Sequence, residues 1–197
     1  MFSPSIEKLI DEFKKFPTVG PRTAARFVFY LIHLPKEEVE DLANSILKLK
    51  KAVKICTFCF SSYEGNQKFC PICLDPRRDK SLLCIVEKET DLISIEKTKT
   101  YQGFYFILGG TISSFKKQEI EKLKIKELVE RLKKTKFQEI ILALNPTTEG
   151  EATILYLERL LKPLNIKITH LARGLPTGAE LEYTDQETLK SAFQRRV

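Results

Sequence analysis

The sequence predicts an α/β protein built from modules: an all-helical head, a short cysteine-bearing module, a doubly wound and mostly parallel sheet, and a short helical tail. Three observations predict it. Apolar residues recur at helical spacing through residues 1–54. Four of the five cysteines fall in two tight pairs within residues 55–79, a stretch too poor in apolar residues to form its own core. From residue 80 onward, short apolar runs of strand length alternate with helical stretches, the pattern of βαβ units.

The head opens at Ser3, a good N-cap, with Pro4 at the first helical position. Ile6, Leu9, Ile10 and Phe13 then mark an amphipathic helix over 3–16. Phe16-Pro17-Thr18-Val19-Gly20-Pro21 breaks it. A second helix is expected from about Arg22 to Leu34, with Ala25, Val28, Phe29 and Ile32 on one face. A third is expected from about Lys36 to Lys51, with Val39, Leu42, Ala43 and Ile46 inward. Arg22 and Arg26 stand four apart, so they share a helix face.

The cysteines read Cys56-x2-Cys59, ten residues, then Cys70-x2-Cys73. Each turn lets two thiolates reach one tetrahedral ion, and two turns close a four-thiolate site with no open position. That is the pattern of one structural Zn2+ per chain; a redox Cys-x-x-Cys pair is the other reading. Such an ion assembles together with the fold around it. Cys84 stands apart, inside Leu82-Leu83-Cys84-Ile85-Val86, and reads as a small core residue.

Four strands are expected: Leu82–Val86, Phe104–Leu108, Glu139–Leu144 and Lys167–Leu171. Helices are expected near 89–98, 116–135 and 150–162, and a short one over 184–197 that carries Thr188, Leu189, Ala192 and Phe193 and ends in Arg195-Arg196. Open parallel sheets bind ligands at the carboxyl ends of their strands. Glu87, Asp91, Glu149 and Glu151 gather there, either as a functional acidic patch or as ordinary loop carboxylates.

Thirty-three basic against 26 acidic side chains give a formal +7. The excess fits contact with nucleic acid, although a lysine-rich surface kept for solubility would show it too. Neither end carries a polybasic block: residues 1–54 hold 10 basic and 7 acidic side chains, residues 80–197 hold 20 and 16. No apolar run reaches the roughly 18 residues of a membrane helix. The N-terminus lacks the order of a secretion signal, so a cytoplasmic protein with reduced thiols is expected.

The hairpin Phe16–Arg26 resembles a helix-hairpin-helix motif, in which glycine (here Gly20) lets backbone amides approach a phosphate beside a helix N-terminus. The segment Asn145-Pro146-Thr147-Thr148-Glu149-Gly150-Glu151 resembles the Toprim motif that type IA topoisomerases write Asp-Pro-Asp-Arg-Glu-Gly-Glu. Two aspartates are replaced by the neutral Asn145 and Thr147, which removes charge that Mg2+ chemistry needs. With the tail ARGLPTGAELEYTD, the whole order of modules resembles the bacterial recombination mediator family RecR.

The resemblance implies the module limits 1–54, 55–79 for the zinc finger, 80–172 for a Toprim domain and 173–197 for a Walker B-like segment near subunit contacts. It implies a ring-like homo-oligomer, dimer to tetramer, that clamps single-stranded or duplex DNA and has no enzymatic activity. With RecO, and in some settings RecF, such proteins help RecA displace single-strand-binding protein. Arg22 and Arg26 fall on the family's DNA-contacting residues, and Glu87, Asp91, Glu149 and Glu151 on its partner-binding ones. The first finger departs from many relatives, with Phe60 and Ser61 where Gly or Asn is usual, a change expected to bear on the geometry of the knuckle. The rival readings are a Mg2+-dependent Toprim nuclease or primase-like enzyme, and a zinc-bearing scaffold that binds proteins alone.

Overall fold

The computed structural model describes residues 2–114 and 117–194. The first residue of the helix expected over 116–135, and Arg195-Arg196 of the expected tail helix, lie outside the described residues. The chain divides after Val53 into two compact units.

The first unit holds helices α1 (Pro4–Phe13), α2 (Pro21–His33) and α3 (Lys36–Ala52). Ser3 occupies the N-cap of α1 with Pro4 behind it, though its side chain makes no capping hydrogen bond. Helix α1 packs on α2 through Phe13, which meets Phe27 at 5.7 Å, and Phe2 just before α1 meets Phe29 at 5.4 Å between ring centroids. Among the described residues of this unit only Ala24 and Val28 are fully buried. The expectation that α3 turns Leu42, Ala43 and Ile46 inward is corrected: all three are exposed, Ile46 at 59%. Phe29 and Ile32 on α2 are exposed as well. Helical periodicity reports that a face is apolar. It does not report whether one chain supplies the layer that covers it.

At the boundary begins a two-stranded sheet of β1 (Val53–Ile55) and β2 (Ser62–Glu64), followed in the second unit by the single turn α4 (Pro71–Leu74). A four-stranded parallel sheet follows: β3 (Asp79–Val86), β4 (Gly103–Ile107), β5 (Glu139–Ala143) and β6 (Lys167–His170), in the order β4-β3-β5-β6. Helix α5 (Glu89–Lys97) joins β3 to β4. Helices α6 (Lys117–Lys122) and α7 (Ile125–Lys134) join β4 to β5 across β3, and α8 (Thr148–Leu161) joins β5 to β6. The direction of travel reverses after β4. Right-handed crossovers therefore place α5 on one face and α6–α8 on the other.

Strand alternation sorts the core accordingly. Leu83, Ile85, Phe104, Phe106, Ile140 and Leu142 pack with Leu128, Leu132 and Leu157 of α7 and α8. The intervening Cys84, Val86, Tyr105, Ile107 and Ala143 pack with Leu92 of α5. Cys84 is thus the small core residue its strand position predicts, 2% exposed, and burial pushes its thiol up to about 12. The single helix expected over 116–135 is broken at Leu123-Lys124, where the Lys124 amide turns to donate to Leu108 O at 2.9 Å. Helix α9 (Gln186–Gln194) closes the described chain after an exposed run, 171–183. No helix among the described residues is long and apolar enough to cross a membrane.

Candidate metal centre and acidic sheet edge

The sulfurs of Cys56, Cys59, Cys70 and Cys73 all lie within 4.8 Å of one another, with Cys59 Sγ and Cys70 Sγ at 3.5 Å. A tetrahedral ion with metal–sulfur bonds of about 2.3 Å sets its ligands about 3.8 Å apart. The cluster therefore fits one ion. Backbone amides already point at the sulfurs: Phe58 N and Cys70 N donate to Cys56 Sγ at 3.4 and 3.3 Å, and Ser61 N donates to Cys59 Sγ at 3.4 Å. Without a cation Cys59, Cys70 and Cys73 compete for protons. Hydrogen bonds from Cys59 and Cys73 hold Cys70 far below the usual thiol range, while the bond to Cys70 pushes Cys59 up and the bonds to Cys59 and Cys70 push Cys73 up. A divalent cation removes that competition by letting every sulfur ionise.

The first knuckle docks on the open edge of the sheet. Ile107 N of edge strand β4 donates to Cys59 O at 2.9 Å, so the knuckle satisfies an amide that an edge would leave bare. Phe58 meets Phe104 at 5.1 Å and Phe60 meets Phe106 at 5.3 Å between centroids. Glu89, in the first turn of α5, accepts from Ser61 Oγ, Ser62 N and Ser62 Oγ at 2.8, 2.7 and 2.7 Å. Phe60 has φ +64°, the left-handed region. The knuckle keeps a turn that favours Gly or Asn, and the Phe60 ring is packed while its backbone is strained.

Arg131 of α7 ties the knuckle from the other side. Its guanidinium donates to the Phe58 and Thr57 carbonyls, the latter at 2.8 Å, and lies 4.1 Å from the Phe58 ring centroid. Truncation by Arg131→Ala should cost about 2–3 kcal/mol, from lost charge-assisted hydrogen bonds and cation–π contact. Thermal unfolding checks this, and Arg131→Lys should rescue little because an ammonium cannot span both carbonyls.

The parallel register brings the motif residues together at the carboxyl edge. Val86 pairs with Ala143, so Glu87 and Leu144-Asn145 leave the sheet together, and Asn145 Nδ2 donates to Glu87 Oε2 at 2.7 Å. Lys88 Nζ pairs with Glu87 Oε1 at 3.4 Å, and the Lys88 amide donates to Asp91 at 3.1 Å, which starts α5. Thr147 caps α8 by accepting from Gly150 N at 3.1 Å. Gly150 has no room for a side chain, since a Cβ would stand 1.9 Å from Asn145 O. Gly150→Ala should therefore displace the motif loop and cost about 2–4 kcal/mol, within the range of severe steric changes, as chemical denaturation would measure. Glu149 is exposed on the first turn of α8, while Glu151 is half-buried and ion-paired with Arg173. Asp91, Asn145 and Glu151 line one cleft of about 970 Å³ with residues of α9; Glu87 and Glu149 do not line it.

In the head, Arg22 and Arg26 are exposed one turn apart at the start of α2 and make no ion pair among the described residues. Gly20 is the N-cap of α2 with φ −84°, which any residue adopts, and the space where a Cβ would sit is empty. The left-handed residue of the hairpin is Thr18, φ +64°. What glycine provides at position 20 is open access to the helix N-terminus.

Family models match three segments: "RecR, helix-hairpin-helix" over 6–50, "Toprim domain" over 81–172 and "RecR, C-terminal" over 174–197. A curated relative from Chloroherpeton thalassium, named Recombination protein RecR, is 45% identical, with 98% of this chain and 97% of the relative covered. The chain belongs to the RecR family. Relatives of the same name from Bifidobacterium adolescentis (44%, covering 99% and 96%) and Clostridium perfringens (41%, covering 98% and 96%) agree. The RecR helix-hairpin-helix match contains Arg22 and Arg26, the Toprim match contains nearly the whole four-stranded sheet, and the cysteine pairs lie between the two. Sequence reasoning missed Glu89, Arg131, Gly150 and Arg173. Of these, only Gly150 and Arg173 stand in recognisable motifs, and a motif gives no partner for a side chain.

Proposed function

We propose that the chain is a non-enzymatic, cytoplasmic mediator of recombinational DNA repair. Its helix-hairpin-helix head holds DNA through Arg22, Arg26 and the open α2 N-terminus at Gly20. One structural Zn2+ on Cys56, Cys59, Cys70 and Cys73 holds the finger together. Glu87, Asp91, Glu149 and Glu151 at the sheet edge receive RecO, and with RecF where present the assembly helps RecA replace single-strand-binding protein. Full-length similarity to proteins named Recombination protein RecR supports the repair role.

The observation that carries the non-catalytic reading is the Asn145 amide on Glu87. In a cation site both groups would be acceptors aimed at the ion. Here one is a donor to the other, and a neutral amide stands where the metal-binding motif has a carboxylate, so the edge has less charge with which to hold a cation and stabilise a phosphoryl-transfer transition state. Asn145→Asp should set two carboxylates against each other and cost about 1–2 kcal/mol without metal, with Mg2+ recovering stability. Calorimetry with and without Mg2+ measures it.

A ring-like dimer or tetramer accounts for the head's uncovered apolar faces, which include Tyr30 (65%), Ile46 (59%) and Leu49 (62%). A second copy would bury them. The functional test is RecA filament formation on single-stranded DNA coated with single-strand-binding protein. The chain together with RecO should shorten the lag, and no cleavage of DNA should accompany it in Mg2+ or Mn2+; cleavage would favour the nuclease alternative.

A further inference from the structure

The acidic edge already holds an arginine of its own chain. After β6 the chain leaves the sheet, and Arg173 turns its guanidinium onto Glu151 of α8, with Glu187 of α9 3.8 Å from its other nitrogen. Ser191 Oγ of α9 donates to Arg173 O at 3.4 Å. The cleft between sheet edge and tail is lined by Asp91, Asn145 and Glu151 on one side and by Glu187, Lys190 and Ser191 on the other. The intervening run 171–183 is exposed throughout, whereas α9 is half-buried along Thr188, Leu189, Ser191 and Ala192.

We propose that Arg173 is a latch: it occupies Glu151 as an internal ligand, and a protein partner presenting arginine side chains binds this cleft by displacing it and releasing α9. This rests on the reading of the sheet edge as partner-binding. A guanidinium is a natural occupant of Glu151, because its planar donors can bridge both oxygens of one carboxylate. The ion pair is half-exposed, 40% on each side, so it is weak enough for a competing guanidinium to replace. The edge therefore presents less free acid than its sequence suggests, until the tail lets go.

The test uses the full chain, hydrogen exchange of the α9 amides, and a labelled tetra-arginine peptide as probe. Arg173→Gln should speed α9 exchange to the level that high salt produces in the unmodified chain, and should tighten the peptide by about two- to fivefold. Arg173→Lys should keep much of the protection. Glu151→Gln should speed α9 exchange and weaken the peptide. If Glu151→Gln weakens the peptide while Arg173→Gln changes neither exchange nor affinity, the latch is overturned and the acidic edge survives. If the peptide is indifferent to both changes, the partner-binding edge falls with it.

Discussion

Cys70→Ser should abolish metal binding and unfold the finger. Structural Zn2+ in small Cys-ligated modules contributes about 10–16 kcal/mol of binding free energy at neutral pH, comparable to or larger than the roughly 5–15 kcal/mol stability of a whole domain. Metal content measured by mass spectrometry should fall from one ion per chain to near zero, with a melting temperature lowered by more than about 10 °C. A strong chelator should reproduce both effects on the unmodified protein. Protons compete with an ion for thiolates, so metal content should be full at neutral pH and fall as pH falls. Cys84→Ser is the control: it should keep the ion and lose about 1–2 kcal/mol, because a buried hydroxyl replaces a thiol that is 2% exposed. Loss of metal in Cys84→Ser with retention in Cys70→Ser would reverse the assignment.

Arg22→Ala combined with Arg26→Ala should weaken DNA binding by about tenfold or more at moderate salt. Each phosphate no longer neutralised removes about 0.9 from the log–log salt slope on duplex DNA, so the slope should flatten by about 1.8 for each engaged head. Because such contacts fix position without reading bases, the loss should be the same for unrelated sequences. Lysine at both positions should restore most of the affinity, since a point charge suffices for a phosphate. RecO binding should be untouched, whereas Glu149→Gln with Glu151→Gln should do the opposite. Fluorescence anisotropy across a salt series measures all of this. An unchanged slope would remove the head from the DNA contact.

The fold was legible because two local periods are written plainly into the chain. The runs Leu82–Val86, Phe104–Leu108 and Glu139–Leu144 mark sheet strands to within three residues at either end, and their alternation sorts the two faces of the core. The cysteine spacing marks the four-cysteine cluster because thiols in two such turns can meet around one ion. What stayed hidden depends on contacts distant in sequence. Glu89 meets Ser61 and Ser62 from 28 and 27 positions away, Arg131 meets Phe58 from 73 away, and Arg173 meets Glu151 from 22 away. The exposed face of α3 misled for a related reason: Leu42 and Ile46 keep helical spacing whether their cover is the same chain or another. The Phe60 knuckle shows a third case, in which a residue unsuited to a left-handed turn is held there by packing on Phe106 and leaves no sign in local propensity.

Mass in solution tests whether several copies of the chain assemble into a DNA clamp. Light scattering of the metal-loaded protein over a range of concentrations, with and without a DNA oligonucleotide, should give a dimer or tetramer that takes up DNA at low salt and releases it at high salt. A monomer at every concentration that ignores DNA would contradict the clamp.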